Sequence, residues 1–369
     1  MSPSTRLAQL ALIASNLFMV GNAAFAVETV TFKSDKKDLV NGAPSPTRTV
    51  VGEILVEAQD GGLMLQSDDG RIWVVQPEQI TSRESDDAEL TPLTADQMAD
   101  RLREELPSGF EVYQTSHYVV VHNTTDRYAR QVGLLFEQLY KGFYAYWKNQ
   151  GWRLPEPRFP LVALVLADRN DFLRYAGAEV GSSAQYLFGY YNPDSNRMMT
   201  YNLPSLERNV ATIIHEATHQ LSYNCGLQTR YADNPKWLSE GLAMYFESPD
   251  FSSVSKWRGI GRVNQVNLTR WRQYQTVRPR DSLASLIAAD SRFTNTQTAE
   301  QAYGESWALT YFLLRTRKKE FVKYIRLLSE GKPLAEKTPR ERIEMFESTF
   351  GDPLEKIDRS FVLYMNRVR

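Results

Sequence analysis

The hydrophobic positions change their period along the chain. Between residues 50 and 75 they fall in three short β-rich runs, 50–57, 63–66 and 71–75, broken at Asp60-Gly61 and Asp69-Gly70. Runs of this kind joined by Asp-Gly turns predict a meander of hairpins, and so a small β domain over residues 45–81. Residues 27–44 before it read as a flexible segment. The polar, acidic "TSRESDDAELTP" that follows has no period and reads as a linker, which together with a short helix fills residues 82–107.

Residues 108–369 read as one larger domain in which strands come first. "GFEVYQTSHYVVVHNTT" holds two β-runs with a turn between them, and residues 126–150 place Val132, Leu135, Phe136, Leu139 and Phe143 at helical spacing. "RFPLVALVLAD" is a continuous apolar run of strand length, "DFLRYAGA" reads as a short helix, and "YLFGYYNPDSNRMMTYN" as two strands around Asn192-Pro193-Asp194. From Pro204 onward the period is helical almost to the end. Strands followed by helices predict an α+β fold.

Composition narrows the partners. Of the 369 residues, 42% are hydrophobic and 24% charged, which suits a packed core. The 43 basic and 44 acidic residues give a net charge of -1, without the basic footprint that nucleic acid or an anionic membrane surface attracts. Neither is expected as a partner.

The first 26 residues stand apart: Arg6, an apolar run over 7–20, and Ala24-Phe25-Ala26 read as a secretory signal peptide cleaved near Ala26. A secreted or periplasmic bacterial protein with no membrane segment in its mature part is expected. The other reading, an uncleaved anchor, has an apolar run short of a full span. Cys225 is the only cysteine, so an internal disulfide is impossible, and beside Gly226 at a helix end it reads as a small apolar filler.

The chemistry gathers in "ATIIHEATHQLSYNCG", residues 211–226. On a helix, His215 and His219 project from one face within reach of one metal ion. Glu216 is rotated by about 100° from His215, where it can act on a metal-bound water rather than on the metal. Two nitrogen ligands with a base outside the ligand set are what HExxH chemistry requires. By itself the triplet can also arise by chance. Downstream, "PKWLSEGLAMYFE" starts a second helix at Pro235 and places Glu240 twenty-one residues past His219. If the two helices run antiparallel, Glu240 returns to the metal as the third ligand that a catalytic zinc site uses. The expected set is one Zn²⁺ on His215, His219 and Glu240, with Glu216 as general base. Glu247, seven residues past Glu240, reads equally as a hydrogen-bond partner of a ligand histidine or as a surface acid.

"HEATH" followed by "WLSEGLAMYFE" resembles the gluzincin metallopeptidases, and most closely the helix pair of the aminopeptidase N group, although the spacing to Glu240 is two residues longer than in that group. The resemblance implies a zincin-like catalytic domain, a mixed sheet followed by helices. It also implies a phenol that stabilises the tetrahedral intermediate. In "QAYGESWALTYFLL" that residue would be Tyr303, which with Trp307 and Tyr311 also forms an aromatic stripe of the kind that packs a core. The Gly-x-Met-Glu-Asn segment with which that group grips a free amino terminus is absent from the sequence. The whole chain is similar to an uncharacterised family of secreted gluzincin-like proteins abundant in planctomycete bacteria.

The function expected is hydrolysis of a peptide or protein substrate outside the cytoplasm. Two alternatives share these residues: a zinc-stabilised envelope binding protein that turns nothing over, and a metal hydrolase of non-peptide amides or esters. Glu216 argues against the first, since a purely structural ion needs no base beside it. His117 and His122, five apart in a strand, point to opposite faces and read as structural or surface residues. The hairpin before the motif could offer an edge to an extended peptide or simply pack in the core. The basic cluster at 315–326 reads as a solvated helix face.

Overall fold

A computed structural model of the chain describes residues 27–34, 47–248 and 257–369; the signal-peptide reading falls on residues 1–26, outside the described residues. The β-meander forms with more strands than the pattern suggested. Strands β2 (Arg48–Glu57), β3 (Leu63–Ser67) and β4 (Ile72–Val75) pair antiparallel through the two Asp-Gly turns. They are joined by β1 (Val27–Phe32) and β5 (Ile80–Asp86), in the order β4-β3-β2-β1-β5. Strand β1 takes the place of the first residues of the segment expected to be flexible, whose residues 35–44 lie outside the described residues, and β5 runs into the start of the expected linker. In β1 the alternate residues Val30 and Phe32 join Val50, Leu63, Leu65, Trp73 and Val75 in a small core. Strand β5 lies at the sheet edge with every residue after Ile80 exposed, so no hydrophobic period marks it. Its charged side chains suit an edge that must not pair with other chains, and Arg83 of β5 bridges Glu28 and Glu57.

The second sheet contains β6 (Glu111–Gln114), β7 (Tyr118–His122), β8 (Leu161–Leu166), β9 (Gly189–Asn192) and β10 (Arg197–Tyr201), in the order β6-β7-β8-β10-β9. The inner pairs β7/β8 and β8/β10 are parallel and the outer pairs antiparallel. Central β8 is buried along its whole length, as a strand covered on both faces should be. Helices α1 (Ala95–Glu105), α2 (Asp126–Asn149) and α3 (Arg169–Val180) accompany this sheet in sequence. Thr94 caps α1 in a reciprocal box with Gln97, and Asp168 caps α3. Met98, Ala99 and Leu102 of α1 and Phe172 of α3 pack with Val119, Leu164 and Met199 of the strands.

After β10 only helices follow among the described residues: α4 (Leu206–Asn224), α5 (Lys236–Phe246), α6 (Gln265–Gln275), α7 (Ser282–Ala288), α8 (Ser291–Thr294), α9 (Ala299–Thr316), α10 (Lys318–Ser329), α11 (Pro339–Phe350) and α12 (Leu354–Met365). The chain is thus a mixed α and β protein, with its strands first. It divides into two compact units, the described residues of Met1–Glu137 with Glu156–Glu216, and of Gln138–Pro155 with Ala217–Arg369. Both α2 and α4 contribute residues to each unit. None of the described helices is long and apolar enough to cross a membrane.

Within the first unit the small β domain is tied to the β9–β10 hairpin. The Ile72 amide donates to the Asp194 carbonyl at 2.7 Å. Arg197, almost fully buried, donates through both terminal nitrogens to the Glu105 carboxylate at 2.7 Å each, and Arg71 adds a contact of 3.3 Å. Burial alone would raise the pKa of Glu105, but the charges and hydrogen bonds of Arg197 and Arg71 outweigh it and lower it to about 2 from an ordinary 4.5. A carboxyl depressed in the folded state contributes stability that is whole above its unfolded pKa and is lost as pH falls through the folded one. Wild type should therefore exceed Glu105→Gln in stability above about pH 4.5, by roughly 3 kcal/mol, with the gap closing by about pH 2. Denaturant unfolding of both proteins across that range measures it.

Candidate metal centre

Helix α4 buries Ile213, Ile214, Ala217 and Leu221, which leaves His215, Glu216 and His219 half-buried on its other side. Gly226 ends it, with a φ of 70° that a residue bearing a Cβ rarely adopts. In α5 every residue except Lys236 and Glu240 is buried. The helix can approach α9 closely because residue 241 is glycine: a Cβ there would lie 2.1 Å from Thr310 Oγ1 and 2.8 Å from the Ser306 carbonyl oxygen. Glu240 is thus fixed by its helix rather than by its own packing.

The ligand atoms of His215, His219 and Glu240 all lie within 4.8 Å of one another, and His219 Nε2 is 3.8 Å from Glu240 Oε2. That separation is too long for a hydrogen bond. It is close to the edge of a tetrahedron of ligands about 2.0–2.1 Å from a central zinc, about 3.3 Å. Two imidazoles and one carboxylate are donors that suit zinc. With neutral histidines the set carries one negative charge against two positive on the ion, an excess that favours acidification of water. The residues present therefore fit the group.

Glu216 is held by a partner that no residue pattern marks. Its Oε2 accepts the backbone N–H of Tyr191 at 2.9 Å. Tyr191 belongs to β9, the edge strand of the second sheet, so this amide points away from β10. Gly189 at the start of the strand lies against Thr212 of α4, where an added Cβ would stand 3.0 Å from its methyl. The outer edge of β9 thus runs beside the base.

A second unforeseen support lies under Glu240. Tyr223, one turn beyond His219, hydrogen-bonds Ser239, and Gln228 Nε2 donates to the same hydroxyl at 2.5 Å. Burial pushes the Tyr223 phenol up to about 12 despite the Ser239 bond. The helical spacing 215, 219, 223 and the adjacency of Ser239 to Glu240 were signals that could have found this link.

The other candidates distribute as follows. Tyr303 is half-buried on α9, its ring edge-on to Phe293 at 5.3 Å, while Trp307 and Tyr311 pack together in the core. Glu247 ends α5 and accepts from Asn264 at 2.7 Å. His117 donates its amide to Glu137 at 2.9 Å and places Nδ1 2.8 Å from the same carboxylate, and His122 is buried. Cys225 is fully buried. In α10 the residues Phe321, Val322, Tyr324, Ile325 and Leu328 are buried and the basic side chains lie outside that face.

A family model described as a protein of unknown function, DUF1570, matches residues 209–335, the stretch from α4 to just beyond α10 that includes His215, His219, Glu240 and Tyr303. No curated protein matches the chain.

Proposed function

We propose that the chain is a secreted, zinc-dependent peptidase of the gluzincin type. The convergence of His215, His219 and Glu240, with Glu216 on the same helix as the two histidines, carries this reading. His215, His219 and Glu240 would hold a zinc ion, which when bound would supply the Lewis acidity that activates water and polarises a carbonyl. Glu216 takes the proton of the attacking water and delivers it to the leaving amine. The Tyr191 amide holds that carboxylate in one orientation, so the proton acceptor needs no reorganisation. The Tyr303 phenol donates to the developing oxyanion. An extended peptide laid beside the outer edge of β9, where the Tyr191 amide is already taken by Glu216, would pass next to the base, which favours peptide over small esters or amides.

Zinc-loaded protein incubated with a diverse peptide mixture should yield defined cleavage products by mass spectrometry. A strong chelator should abolish them and added zinc restore them. Protein that carries one zinc at this site and cleaves nothing in the mixture would sink the peptidase reading. Ester or non-peptide amide turnover in its place would reassign the same residues to another hydrolase.

A further inference from the structure

We propose a second divalent-cation site, formed by Glu111, His122 and Asp126 where the β6–β7 hairpin meets the start of α2. In the antiparallel register Glu111 and His122 are direct partners, so their side chains leave the sheet on the same face with Cβ atoms about 5 Å apart. Asp126 follows four residues after His122, in the first turn of α2. One ligand atom from each of the three lies within 4.8 Å of the other two.

The histidine makes this more than a pair of surface acids. His122 is 2% exposed, and its Nδ1 lies 3.2 Å from the Thr124 carbonyl oxygen. A carbonyl only accepts, so Nδ1 carries a proton, which in the neutral imidazole leaves Nε2 its lone pair. This is the arrangement of a ligating histidine, whose second ring nitrogen is oriented by a backbone carbonyl. In that tautomer Nε2 is an acceptor, as are the carboxylate oxygens of Glu111 and Asp126. Neither carboxylate has an ion-pair partner among the described residues. Three acceptors converge, and a divalent cation answers all of them while its two charges cancel theirs.

One imidazole with two carboxylates suits zinc or a neighbouring first-row ion, whereas calcium and magnesium sites take oxygen ligands. The neutral sum distinguishes this site from the one on α4. Its ion would acidify water less, and its role is to clip the hairpin to the start of α2. The positive end of that helix opposes a cation, an effect that the two carboxylates outweigh.

The test is zinc stoichiometry and affinity of the stripped full-length chain, by elemental analysis and calorimetry. Wild type should bind two ions, and the Glu111→Gln/Asp126→Asn and His215→Ala/His219→Ala variants one each. Glu111→Gln or Asp126→Asn alone should weaken the second ion at least ~10-fold. Zinc should still raise the melting temperature of His215→Ala/His219→Ala, and should cease to do so when the four substitutions are combined. The exposed carboxylates are the ones changed, so the buried imidazole stays in place. If Glu111→Gln/Asp126→Asn binds as many ions as wild type with the same affinities, the proposal is overturned. A wild type that binds a single ion, abolished by His215→Ala/His219→Ala, overturns it too and leaves the peptidase reading standing.

Discussion

Glu216→Gln should lower kcat for peptide cleavage by about 10²–10⁴-fold, the range set by loss of a positioned general base, with zinc content and KM unchanged. Glutamine has the same shape and keeps an oxygen to accept the Tyr191 amide now 2.9 Å away, so the carboxamide should sit where the carboxylate does. What it cannot do is take a proton. His215, His219 and Glu240 are untouched, so the metal set remains complete. Single-turnover kinetics with elemental analysis of both proteins gives the answer. Equal turnover at equal zinc would remove Glu216 from the chemistry, and lost activity together with lost zinc would make it part of the metal set instead.

The second large effect concerns stability. Glu305 is fully buried in α9, two residues beyond Tyr303. Its carboxylate accepts from Arg278 Nε, Arg292 Nη1 and Ser282 Oγ, each at 2.7 Å. Arg278 also pairs with Asp358 at 2.5 Å and lies over the Trp271 and Phe361 rings at 5.6 and 5.7 Å. Two guanidinium groups are thus balanced by two carboxylates in a poorly hydrated place. Glu305→Ala leaves a buried cation unbalanced and should destabilise the protein by about 3–5 kcal/mol. Chemical denaturation of the full chain measures the loss. Asp358→Asn, at a partly exposed carboxylate, should cost clearly less. A Glu305→Ala loss below about 1 kcal/mol would mean that the site hydrates on mutation and that the cluster does little for stability.

Much of the fold was legible because burial is one-sided or continuous there. The apolar run of β8, the period of α2 and the two Asp-Gly turns each signalled their element. The edge strand β5 was hidden because both of its faces are wet, so polar residues fill it. Strand β1 had its Val30 and Phe32 alternation in view, but six residues beside a presumed cleavage site carry too little pattern to outweigh the reading of a flexible tail. In the candidate site the three ligand residues were legible because metal chemistry restricts both residue type and helical spacing. The Tyr191 amide was not, since every non-proline residue has one and only the sheet's edge decides which amide faces Glu216. The buried Glu305 cluster was equally hidden: its charged members are spread from Arg278 to Asp358, and charged residues ordinarily signal solvent.

The grip of the first sheet on the β9–β10 hairpin bears on how the protein can be cut down. Pattern alone marks residue 108 as the natural place to begin a catalytic fragment. Such a fragment would omit Ile72, Arg71 and Glu105, and with them the restraints on Asp194 and Arg197. It would keep α4 and α5 whole, and so the ability to take up the ion. What it would lose is the buttress behind the strand that orients Glu216. On the proposed peptidase reading the amino-terminal sheet is part of the site's foundation, and a minimal active unit should begin no later than Val27, the first residue of β1, rather than after residue 107.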